Sequence, residues 1–122
     1  MAPRVAVDVV DVVRAGDAWR VRWRIASDPP LRLIHVAAPH GKLRAADRDI
    51  DLVTPVELAL EVVSTEPAGT EIENTFLILT AEAERTTWRI LARMRVRVGA
   101  DGVPHPVTER IDVQEVGFSG QR

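Results

Sequence analysis

The octet Ala18-Trp19-Arg20-Val21-Arg22-Trp23-Arg24-Ile25 decides how this chain is built. Trp19, Val21, Trp23 and Ile25 share one parity, and Arg20, Arg22 and Arg24 share the other. A helix would spread those arginines around its circumference, whereas a strand, whose successive side chains point to opposite faces, segregates them completely. The octet therefore reads as a strand with a bulky apolar face turned inward and a cationic face turned to water. The pattern returns between Trp88 and Val98. There Trp88, Ile90, Ala92, Met94, Val96 and Val98 alternate with Arg89, Leu91, Arg93, Arg95 and Arg97, and Leu91 is the one apolar residue on the arginine side.

Working outward, Val5, Val7 and Val9 alternate and then slip in phase to Val10 and Val12, the mark of a bulge in a first strand. Leu31 to Ala37 follows the Asp28-Pro29-Pro30 breaker and is rich in branched residues. Val107, Glu109, Ile111 and Val113 alternate near the end, with Val116 and Phe118 on the opposite parity. Ala15-Gly16-Asp17, Pro67-Ala68-Gly69 and Gly99-Ala100-Asp101-Gly102 supply the turns. A single loop over residues 39–55 would be uncommonly long for a compact domain, so a short strand near Arg48–Val53, kinked at Pro55, is expected. Thr54-Pro55-Val56-Glu57 has the form of a helix start, which leaves an α+β alternative with a short helix at about 55–64. The alternation of Val56, Leu58, Leu60 and Val62 favours a strand there. Thr86-Thr87 and the segregated arginines likewise argue against a helix over Thr80–Arg95. The expected fold class is all-β: one immunoglobulin-like antiparallel β-sandwich domain of seven or eight strands over 1–122, with 119–122 a frayed tail. That likeness lies in the fold alone.

Composition narrows the chemistry. The 122 residues are 46% hydrophobic and 28% charged, with a net charge of −2, which does not favour long-range attraction to nucleic acid or an anionic membrane. With no cysteine, the sequence carries no disulfide, thiolate metal site or cysteine nucleophile. Lys42 stands against 15 arginines, a skew that fits GC-rich coding and hence a bacterial source. Met1-Ala2-Pro3-Arg4 lacks the order of a secretory leader, no apolar run approaches a membrane span, and a cytoplasmic location is expected.

Acidic residues face the arginine strands: Asp8 and Asp11 next to the first, Glu109, Asp112 and Glu115 next to the second, so cross-strand ion pairs on solvated faces are expected rather than phosphate contacts. No aromatic stands on either arginine face to stack a base. Phe76-Leu77-Ile78-Leu79 is apolar on both parities. Phe76 and Ile78 with an outward Leu91 would form an apolar interface patch for self-association. His35, His40 and His105 have no metal-ligand spacing among them, and the loops of His40 and His105 are expected at opposite ends of the sandwich. Asp47, Asp49 and Asp51 resemble the start of a calcium loop, but Leu52 and Leu58 stand where an EF-hand needs glycine and glutamate. No metal and no cofactor is therefore expected. Gly117-Phe118-Ser119-Gly120 falls one residue short of a nucleophile elbow, and no phosphate cradle or dinucleotide fingerprint is present.

The function expected from these residues is a non-catalytic binding or protein-interaction module that pairs with itself or with a protein partner. The first candidate contact site is His40 with Asp47, Asp49 and Asp51; the second, at the other end, is Pro104, His105 and Pro106. A small enzyme or accessory subunit using loop Asp and His residues is the alternative.

Overall fold

The computed structural model describes residues 1–116. The expected tail 119–122, the Gly117-to-Gly120 motif and Phe118 lie outside the described residues. Eight strands follow one another: β1 (Arg4–Ala15), β2 (Ala18–Asp28), β3 (Arg32–His40), β4 (Leu43–Val53), β5 (Val56–Val62), β6 (Glu71–Ala83), β7 (Thr86–Val98) and β8 (Pro104–Glu115). They form two antiparallel sheets, of three strands in the order β1-β2-β5 and of five in the order β4-β3-β6-β7-β8. The two sheets are those of an antiparallel β-sandwich, but β4 pairs with β3 in the larger sheet, where the constant-type immunoglobulin order would place the fourth strand beside the fifth, and β8 extends the larger sheet beyond β7.

The two strands that decided the reading behave as their parity requires. Val21, Trp23 and Ile25 on β2, and Ile90, Ala92, Met94 and Val96 on β7, are fully buried between the sheets. Trp19 is buried while Trp88 is half-buried against the core rim. The phase slip in β1 is a bulge between Val9 and Asp11. On the smaller sheet one of the two expected partners, Asp11, bridges Arg22, while Asp8 makes no ion pair among the described residues; β5 supplies the other carboxylates, Glu57 at 3.6 Å from Arg22 and Glu61 at 3.3 Å from Arg20. On the larger sheet Glu109 takes Arg95 at 3.0 Å. Exposed pairs of this kind contribute between nothing and about 1 kcal/mol each, so burial of the apolar parity is what holds the sheets together.

The strand favoured at 55–64 over the helical alternative is present: Val56–Val62 is β5, paired with β2, and the Thr54 hydroxyl accepts the Leu31 N–H at 2.9 Å instead of capping a helix. Three expectations need correction. The fourth strand begins at Leu43, not near Arg48, because Gly41-Lys42 closes a tight hairpin with β3, so Asp47, Asp49 and Asp51 stand on a strand rather than in a loop. Val107 does not share a face with Ile111 and Val113, since a bulge at Glu109 shifts the parity and leaves Val107 62% exposed. Finally, β3 and β7 both pair antiparallel with β6 and so run in the same direction, which puts the turn after His40 and the loop before Pro104 at the same end of the larger sheet. The strand at 43–53 adds one reversal of direction, which is what brings the two loops together.

The sandwich edges nearly close. Arg44 and Val63 exchange backbone hydrogen bonds of 3.1 and 2.8 Å between β4 and the end of β5, and the Thr108 hydroxyl donates to the Val7 carbonyl at 2.7 Å between β8 and β1. The larger sheet therefore keeps one broad open surface, its outer face.

Candidate functional site

The outer face of the five-stranded sheet is built from the outward parity of each strand, and register fixes which residues lie level. One row runs Asp49–His35–Thr80–Arg89–Gln114 across β4, β3, β6, β7 and β8. The next runs Ala37–Ile78–Leu91–Asp112. In the row after that, Phe76 pairs with Arg93, which pairs with Arg110. Phe76, Ile78 and Leu91, expected as an apolar patch, are thus adjacent and half-buried, with Ala37 extending the patch onto β3. On the same strand the inward Leu77 and Leu79 are fully buried. The double-sided apolar run of β6 therefore serves the core with one side and this surface with the other.

Charge is distributed unevenly across that face. Along β4 stand Asp47, Asp49 and Asp51, and along β7 stand Arg89, Arg93, Arg95 and Arg97. Asp51 accepts a 2.9 Å hydrogen bond from the Arg32 guanidinium, and that bond together with the cation's charge holds its carboxyl below the usual range. Arg32 is shared with Glu82 at 3.6 Å. Asp47 lies 4.0 Å from His35 Nε2. Asp49 and Arg89 are exposed and have no ion-pair partner among the described residues.

His40 is not brought to the acidic triplet. It pairs with Leu43 at the hairpin, and its Nδ1 accepts the Lys42 N–H at 3.0 Å, a turn-closing role. The histidine set level with Asp49 is His35, on a bulged stretch of β3 that alternation alone did not place. At the second candidate position Pro104 and Pro106 are buried inward and His105 is exposed, level with Arg97. Among the described residues no group of three or more His, Asp or Glu is arranged to hold a metal.

One cleft lies off this face, where β4 and β5 splay beyond the Arg44–Val63 contact. Ala45, Ala46 and Ala59 are too small to fill it, leaving about 300 Å³. Its rim is already engaged: Arg48 donates to the Ala59 carbonyl at 3.4 Å and Arg20 pairs with Glu61. No helix among the described residues is long and apolar enough to cross a membrane. Comparison with protein-family models, with curated proteins and with solved structures finds no match for the chain.

Proposed function

We propose that this chain is a non-catalytic protein-interaction module whose contact surface is the outer face of the five-stranded sheet. The observation that carries the proposal is the contiguous apolar patch of Ala37, Phe76, Ile78 and Leu91, set between an acidic strand and an arginine strand. An apolar centre with a charged rim is the usual anatomy of a protein interface. The triplet Asp47, Asp49 and Asp51 forms the acidic rim in this reading, and Pro104 and His105 mark the end at which β3 and β7 stop. The arginine-for-lysine skew supports a bacterial source as part of the same proposal.

The test compares complexes recovered with the wild-type chain from its native cell with those recovered with Ile78→Glu and Leu91→Glu. Loss of the same complexes in both variants, with circular dichroism unchanged, supports the face as the contact surface. Recovery of an unaltered set overturns it.

A further inference from the structure

We propose that the partner of this face is the same face of a second copy of the chain, related by a twofold axis parallel to the strands and midway between β3 and β6. The proposal rests on the interaction face described above and adds the occupant and its orientation.

Two identical faces packed on one another are related by a twofold axis lying between them. If that axis runs across the strands, each strand lies over its own counterpart, with the aspartates of β4 over aspartates and the arginines of β7 over arginines. If it runs along the strands between β3 and β6, β4 of each copy lies over β7 of the other, and β3 over β6. The first arrangement sets like charges over one another throughout, which is strongly unfavourable at an interface, whereas the second sets the exposed Asp49 over the exposed Arg89.

The register makes the match specific. Asp49 and Arg89 lie in one row, on strands three places apart, about 14 Å at ordinary strand spacing. Rotation about the proposed axis exchanges their positions, so Asp49 of each copy comes over Arg89 of the other. These are the two exposed residues of that row that carry opposite charges and lack an ion-pair partner among the described residues. In the adjacent row the same rotation sets Ile78 over Ala37, a large side chain over a small one, as interdigitating sheet faces require. Four strands of each copy, β4, β3, β6 and β7, overlap about this axis, and over about 25 Å of length they give a face on the order of 480 Å², smaller than the roughly 800 Å² each partner contributes to a standard interface and in the range of weaker, reversible association.

Sedimentation of the full chain across a concentration series is the test. The wild type is expected to dimerise. Asp49→Arg and Arg89→Glu, which each set like charges over one another, are expected to weaken self-association about tenfold or more. An equimolar mixture of the two variants restores opposite charges at both contacts, so it is expected to dimerise where neither variant does alone, and unchanged circular dichroism shows that both remain folded. A mixture no tighter than its components overturns the proposed axis. A wild type that stays monomeric throughout overturns the second copy as partner without touching the face itself. A dimer that persists unchanged in Ile78→Glu forms through another surface and overturns this face as the contact between copies, while the face itself is judged by the complexes recovered with Ile78→Glu and Leu91→Glu.

Discussion

Thr54 is buried, and its hydroxyl meets three groups: it accepts from Leu31 N–H at 2.9 Å, contacts the Leu31 carbonyl at 3.5 Å and shares a hydrogen bond with Ser27 Oγ. It ties the crossing from β2 to β3 to the crossing from β4 to β5. Thr54→Val keeps the shape but strands a buried N–H, and it is expected to cost about 1–3 kcal/mol in denaturant unfolding. From sequence the same hydroxyl looked like a helix cap, because Thr-Pro-x-Glu satisfies local rules equally well; only the distant Leu31 decides between the two roles. Asp51 gives a prediction in pH. Its hydrogen bond and charge interaction with Arg32 lower its folded-state pKa, so the stabilisation is present above the unfolded-state pKa and is lost as pH falls through the folded one. Asp51→Asn is therefore expected to be less stable than wild type at neutral pH, and the gap closes on acidification. Thermal melts of both proteins across the acid range measure that closure.

At the scale of elements, the turns carry the sharpest expectations. Ala83 pairs with Thr86 across the two residues Glu84 and Arg85, whose φ values of 50° and 70° belong to the left-handed region. Asn-Gly suits such a hairpin far better than Glu-Arg. Replacing Glu84→Asn together with Arg85→Gly is expected to raise stability by about 1 kcal/mol, visible as a higher denaturation midpoint. Gly102 has φ 82°, and a methyl group there would meet nothing within 4 Å. Gly102→Ala should therefore lose about 1 kcal/mol through backbone strain alone. The strands themselves were legible wherever apolar and charged residues alternate cleanly, as on β2, β5 and β7. β4 was only half legible. Its Ala45-Ala46 segment lacks a strong parity signal, and its edge position leaves little apolar surface to write one. The parity change at Glu109 was hidden because a bulge inserts one residue without altering composition.

For the molecule as a whole, Trp23 joins the two sheets: it is fully buried, and its indole N–H has no acceptor among the described residues. Trp23→Ala is expected to cost about 3–5 kcal/mol by opening a cavity. Trp23→Phe should cost well under half of that, because it retains most of the volume and removes the unpaired donor. Chemical denaturation of the two variants side by side makes the comparison. The apolar triplet of the candidate face was visible in sequence as a double-sided run on β6 plus an exception on β7, since hydrophobicity on an outward parity is a local property. The role of His35, the separation of His40 from the aspartates, and the shared end of the two candidate loops were not visible, since each depends on which strands pair and in what register. Taken alone, the sequence determined the all-β class, the inward and outward parities of β2, β5 and β7, and the opposed charges of neighbouring strands, because side-chain direction along a strand follows from backbone geometry with a period of two. The tertiary structure decided the crossing of strands between sheets, the bulges that reset parity, and the row that sets Asp49 and Arg89 level on one face. Those features arise from pairing between residues distant in the chain, and no local preference encodes them.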